Sequence, residues 1–298
     1  MNYKLKSYFV PRLVNYPKLH FLGSKLFNAY SKFTSFNHIL PNFYIIGGQK
    51  CGTTSMFEYL SRHPSVFPAT VKDIRFYDKY FHKGQDWYKT YFPSKTEETF
   101  NKLFHKNLIQ TVDATERYLE HPLAAIRIKK ITPNAKFIIL LRNPVDRAFS
   151  HYMMNVDRNM ESLSFEESLL KEHSRIDNKL EKMQNDSSFY DDNYFRYGYT
   201  DRSIYVTKLK RWFSIFSREQ FLIIQSEEFL EKPDLIYQKT IEFLGLKKWT
   251  LKNFKQFKKR DYKIPQMKPE TRENLIKLFE PHNRQLYNLL GKKFNWDE

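Results

Sequence analysis

Phe43-Tyr44-Ile45-Ile46-Gly47-Gly48-Gln49-Lys50-Cys51-Gly52-Thr53-Thr54-Ser55 is the stretch on which the fold turns. A short apolar run of strand character ends in two glycines, and after Gly52 a helix-compatible stretch runs from Thr53 to Arg62, closed by His63-Pro64. Strand, glycine loop, helix is the order of a phosphate cradle. Glycines let backbone amides turn inward, and the helix N-terminus offers unpaired N–H groups with a partial positive charge to an anion. Thr53, Thr54 and Ser55 add hydroxyl donors. Gly47 and Gly52 are spaced as in the nucleotide P-loop, but Thr53 stands where that pattern requires lysine, and the lysine has moved to Lys50.

Working outward, further apolar strand candidates are Leu108 to Val112, Lys136 to Leu141 and Gln220 to Ile224. Between them lie helical candidates: Pro122 to Ile131, Val145 to Asn155, Phe165 to His173, Asp201 to Phe216, Pro233 to Leu244 and Pro269 to Leu290. Strands alternating with helices predict an α/β fold, a single P-loop-like domain over 41–298 with a central parallel β-sheet flanked by helices. The polar stretch from Lys171 to Asn193 reads as a surface insertion or mobile loop.

The second informative segment is Leu140-Leu141-Arg142-Asn143-Pro144-Val145-Asp146-Arg147-Ala148-Phe149-Ser150-His151-Tyr152. It has a strand end, a proline at the first helical turn and Ser150 two turns in. Arg142 and Ser150 either meet one anion, a forked guanidinium and a hydroxyl suiting a phosphate monoester, or are an ordinary salt-bridge partner and a tolerated helix residue. A strand ending in Arg142 puts a cation where metal-dependent phosphoryl transfer would use a carboxylate.

With 298 residues, 8 glycines and 13 prolines, the chain is expected to bury a sizeable core, and it shows no repeat. Its formal charge of +17 favours polyanions, a multiply phosphorylated nucleotide or an anionic membrane surface. Cys51 is the single cysteine, which excludes an intramolecular disulfide and a cysteine-based zinc site and fits a reducing, cytoplasmic compartment. The histidines, His82, His121 and His151 among them, lack metal-ligand spacing, and no metal is expected. Residues 1–40 form a basic, aromatic extension without a membrane-spanning or signal-peptide core; it either packs on the domain or makes a peripheral membrane contact.

Four blocks together are more specific than any one: FYIIGGQKCGTTSMFEYLSRHP, KDIRFYDKYFHKGQDWYKTYFP, AKFIILLRNPVDRAFSHY and IPQMKPETRENLIKLFEPHNRQLYNLLGKKFNW. In this order the chain resembles the sulfotransferases that use 3′-phosphoadenosine-5′-phosphosulfate, and among them the heparan sulfate type and its bacterial relatives. The resemblance implies that Gly48, Gln49, Lys50, Cys51 and the turn Gly52, Thr53, Thr54, Ser55 hold the 5′-phosphosulfate, while Arg142 and Ser150 hold the 3′-phosphate. It implies Lys50 and Asp73 as catalytic residues, Asp73 standing where relatives carry a glutamate base; otherwise Asp73 caps a turn. Tyr205 falls at the nucleotide or in the core, and Lys259 and Arg260 in a loop closing over it or in a solvated charge run. At Asp113-Ala114-Thr115-Glu116-Arg117-Tyr118 the family's lysine is replaced by Ala114, a charge for which Arg117 is a candidate substitute.

The activity so implied is sulfuryl transfer to a hydroxyl or amine, with a carbohydrate as the expected acceptor and no nucleic-acid partner. Two rivals stand beside it: a metal-dependent P-loop small-molecule kinase, and a non-catalytic polyanion-binding protein recruited by charge.

Overall fold

The computed structural model describes residues 33–105, 109–255 and 267–296. Five strands, β1 (Phe43–Ile45), β2 (Val66–Pro68), β3 (Gln110–Ala114), β4 (Lys136–Leu141) and β5 (Phe221–Gln225), form one sheet in the order β2-β3-β1-β4-β5. Every pairing is parallel. Parallel strands need crossover connections and bury both faces, which is why β4 reads as an unbroken apolar run.

Side-chain alternation divides that run between two cores. Phe137, Ile139 and Leu141 join Tyr44 on one face, under helices α2 (Ala124–Ile131) and α4 (Tyr205–Phe213). Ile138 and Leu140 join Phe43 and Ile45 on the other, under α1 (Thr53–Leu60) and α5 (Pro233–Leu244). The first core is aromatic: Phe137 stacks on Tyr44 and meets Trp212, Phe216 and Phe221 within 5.2 Å between ring centroids. Helices α3 (Pro144–Asp157) and α6 (Pro269–Leu290) add a third cluster through Val145, Ala148, Leu275 and Phe279.

The strand order places the site. From central β1 the chain crosses to the edge at β2, returns through β3 beside β1, and then builds outward on the other side through β4 and β5. All five strands point the same way, so the segments following them converge on one end of the sheet, the usual place for a ligand in an open parallel sheet.

Three expectations are corrected. Strand β2 was not anticipated; it has three residues, ends in Pro68 and lies at the sheet edge, where a missing amide donor is tolerated. The stretch from Lys171 to Asn193 is largely helical, with one helix running Phe165–Ile176, another Lys179–Asn185 and a third beginning at Asp192. Its few apolar residues suffice: Ile176, Leu180, Phe189 and Tyr190 pack on buried Met183, Tyr194 and Phe195 as a satellite core. The expected helix from Asp201 to Phe216 divides into a 3-10 turn, Asp201–Ser203, and α4.

Candidate active site

The loop after β1 continues its strand's pairing. Ile46 N–H donates to Ile138 O at 3.1 Å and Gly48 N–H to Leu140 O at 3.0 Å, laying the glycines against β4. A β-carbon on Gly47 would lie 2.2 Å from Leu140 N, so no other residue fits this approach. The chain then reverses through left-handed Lys50 (φ 72°) and Gly52 (φ 91°) and enters α1. The first helical bond is Met56 N–H to Gly52 O, 3.1 Å, so the amides of Thr53, Thr54 and Ser55 precede the ladder at the helix's positive end.

Arg142 follows β4 directly. Its Nη1 donates to Lys50 O at 3.4 Å, and among the described residues it has no carboxylate partner. Asn143 caps α3, accepting from Val145 N–H at 2.9 Å, with Pro144 in the first turn. Ser150, half-buried, lies farther along the same helix, and no hydrogen bond joins it to Arg142. Tyr205 is buried in the core, and its hydroxyl donates to Arg142 O at 2.9 Å, so it fastens the loop and the end of β4 from beneath. Lys259 and Arg260 lie outside the described residues.

Cys51 belongs to the floor of the loop. Ser226 Oγ donates to its carbonyl at 2.6 Å, and burial pushes its thiol up to about 12 despite nearby Arg147 and Arg142. Gln49 is anchored by Arg202, whose Nη1 donates to Oε1 at 2.9 Å while Nη2 pairs with Glu120 at 3.0 Å, both side chains being almost wholly buried. Arg147 is also fully buried, held by Ser203 Oγ at 2.6 Å and Tyr199 O at 2.7 Å without a carboxylate among the described residues. Two buried guanidinium groups thus lie close to the loop, the charge of Arg202 offset by Glu120 and that of Arg147 by no carboxylate among the described residues. Sequence reading did not single out Arg147, although it lies in the quoted block.

Beside the loop lie the segments after β2 and β3. Asp73 N–H donates to Ala114 O at 3.1 Å, extending the pairing beside β3, and Asp73 itself is left-handed at φ 61°. Lys72 Nζ lies 3.3 Å from both Asp73 oxygens and 3.3 Å from Glu116 Oε2. Glu116 Oε2 also accepts from Thr53 Oγ1 at 2.9 Å, tying this side to the phosphate loop. Burial pushes the Glu116 carboxyl up, but Lys72, Thr53 and Arg202 outweigh it and hold it below the usual carboxylate range. Arg117, the candidate charge substitute for Ala114, donates through Nη1 to Tyr190 OH at 2.6 Å and Asp192 Oδ1 at 2.9 Å. Lys72 and Glu116 were not singled out in the sequence, yet they link Asp73 to Thr53.

Asp113, the carboxylate on β3, is fully buried and accepts from Tyr88, Tyr118 and Thr115 hydroxyls at 2.7–2.9 Å. Burial pushes it up to about 6 against those bonds. It is enclosed by hydroxyls rather than turned toward the loop, unlike the carboxylate a metal-dependent kinase would need. Buried His121 and His151 are held below the usual histidine range by burial and by neighbouring arginines, a structural setting.

A family model for the sulfotransferase domain matches residues 40–282. A sulfotransferase from Alicyclobacillus acidocaldarius has a similar crystal structure, with a TM-score of 0.65 and 31% identity over 87% of this chain and 100% of that one. The membrane-associated sulfotransferase kil1 of Dictyostelium discoideum is 27% identical over 86% of this chain and 66% of its own length. Heparan sulfate glucosamine 3-O-sulfotransferase 3A1 of mouse is 26% identical over 87% of this chain and 65% of its own. The chain thus spans slightly less than two thirds of either curated relative. The phosphate loop on β1 and the cation ending β4 both fall within the matched region, and this chain belongs to the sulfotransferase family.

Proposed function

We propose that this sulfotransferase takes its sulfuryl group from 3′-phosphoadenosine-5′-phosphosulfate and passes it to a hydroxyl or amine of a carbohydrate. The observation that carries the donor assignment is Arg142, a guanidinium without a carboxylate partner among the described residues, bound to the carbonyl of Lys50 at the mouth of a glycine loop. Such an arrangement suits a donor with phosphate at two places: the loop and the start of α1 take the 5′-phosphosulfate, and Arg142 with Ser150 the 3′-phosphate.

The reaction is an in-line displacement at sulfur. The acceptor oxygen or nitrogen forms the new bond to sulfur, the bond from sulfur to the bridging oxygen breaks, and adenosine 3′,5′-bisphosphate leaves. Asp73 receives the acceptor's proton; Lys50 and the loop amides stabilise charge on the departing oxygen. Asp73 is suited to that role because its carboxylate is 43% exposed while its backbone is fixed against β3. A positioned base contributes about 10²–10⁴-fold.

A carbohydrate acceptor rests on relatives described as heparan sulfate enzymes. A contact of the N-terminal segment with an anionic membrane is supported by Phe33 and Phe36, 77% and 74% exposed at the start of the described chain. Among the described residues no helix is long and apolar enough to cross a membrane. Calorimetric titration with adenosine 3′,5′-bisphosphate in magnesium-free buffer, with ATP as comparison, tests the donor. Micromolar or tighter binding of the bisphosphate, with weak binding of ATP, is expected; preference for ATP overturns the reading. Transfer of labelled sulfuryl to an unsulfated heparan-type polysaccharide, against a simple phenol, tests the acceptor.

A further inference from the structure

The transfer step as described has no use for Glu116, yet its carboxylate touches the phosphate loop at Thr53 and stands one ammonium away from Asp73. The geometry points to Glu116 and Lys72 as positioning residues for the base: Glu116 moors the Lys72 ammonium to the phosphate loop, and Lys72 in turn fixes Asp73 and sets its basicity. This rests on the reading of Asp73 as the base.

Three observations support it. Lys72 Nζ is equidistant, at 3.3 Å, from both Asp73 oxygens, so it restrains the carboxylate as a whole. Lys72 and Glu116 are each 15% exposed against 43% for Asp73, so the mooring is shielded and the base accessible. The chain Thr53, Glu116, Lys72, Asp73 also joins the segments after β1, β3 and β2 through side chains, beside the backbone bond from Asp73 N–H to Ala114 O. An ammonium facing Asp73 alone would depress its pKa and leave a poor base. Shared with Glu116, the same ammonium orders the carboxylate with much of its charge already offset. Two further charges among the described residues lie nearby: Asp113 repels Asp73 from within β3, and Arg75 is directed to Asp78 at 3.1 Å and to Tyr190.

The titration requires no acceptor. Protein labelled with carbon-13 at aspartate carboxyls is titrated by NMR, the Asp73 signal being assigned by its loss in Asp73→Asn. Glu116→Gln keeps an acceptor for Thr53 but removes a negative charge, and should lower the Asp73 pKa by about half to one unit. Lys72→Met should raise it by about one unit. A purely structural contact would move neither in this opposed way, and shifts below about 0.2 units, or of one sign in both variants, overturn the proposal. Turnover of Asp73→Asn separates this from the reading beneath it. Lost turnover with unmoved pKa values retains the base and refutes the mooring; normal turnover with opposed shifts retains the mooring and refutes the base.

Discussion

Replacing Arg142 by alanine should remove the 3′-phosphate site while leaving the fold intact. In the free protein Arg142 makes one long hydrogen bond, 3.4 Å to the Lys50 carbonyl, and no ion pair with a described carboxylate. Its loss should cost folding less than about 1 kcal/mol, a shift in Tm under about 3 °C for a chain of this size. Against bound phosphate the calculation differs. Two unit charges about 4 Å apart at an effective dielectric near 20 attract by about 4 kcal/mol. Arg142 is half-buried, so water and salt reduce that to roughly 2–3 kcal/mol, or about 30- to 150-fold in Kd. Arg142→Lys keeps the charge but loses the fork and should weaken binding by only about fivefold. Calorimetry with adenosine 3′,5′-bisphosphate and adenosine 5′-phosphate, on both variants, reads the difference, since the second ligand lacks the 3′-phosphate. A change under threefold for the bisphosphate, or equal weakening of both ligands, would refute the assignment.

Gly47→Ala places a β-carbon 2.2 Å from Leu140 N, a backbone atom that cannot step aside, and should yield insoluble protein or a fold without bisphosphate affinity; normal calorimetry would contradict the close approach. Glu120→Ala strands Arg202, whose side chain is 0% exposed, and should lower unfolding free energy in urea by about 3–5 kcal/mol, with an Arg202→Met, Glu120→Leu double variant recovering most of it. Cys51, its thiol pushed up to about 12, should resist iodoacetamide at pH 8 in the native protein and react only in denaturant; rapid native labelling would show the loop floor to be open. His121 and His151 have folded-state pKa values below their unfolded ones, so only the unfolded chain takes up their protons and stability should decline below about pH 6.5. Asp78 and Asp113, pushed up to about 6 in the fold, act the other way from about pH 6 down to their unfolded values near 4. Asp113→Asn should therefore steepen the loss of stability measured by urea unfolding between pH 6 and 4.5, and an unchanged slope would contradict the burial of that carboxyl.

How much of this could be read from residues alone depends on the distance over which each feature is determined. Strand β4 and the loop after β1 were legible because local chemistry decides them: apolar residues buried on both faces, then glycines that alone permit the chain to lie against Leu140. The position of Arg142 at the end of β4 was legible for the same reason, since it directly follows the apolar run. Strand β2 escaped because three residues ending in proline carry almost no pattern, and only its pairing with β3 makes them a strand. The helices between Lys171 and Asn193 escaped because their apolar residues are thinly spread and gain their burial from Tyr194 and Phe195 farther along. Lys72 and Glu116 stood in segments already quoted, but nothing local relates residues on two different strand ends. Their meeting follows from the topology: with β1 between the two halves of a parallel sheet, the segments after β1, β2 and β3 must end side by side. Strand order thus brings Thr53, Glu116, Lys72 and Asp73 within reach of one another, and side-chain charge then selects which of them pair.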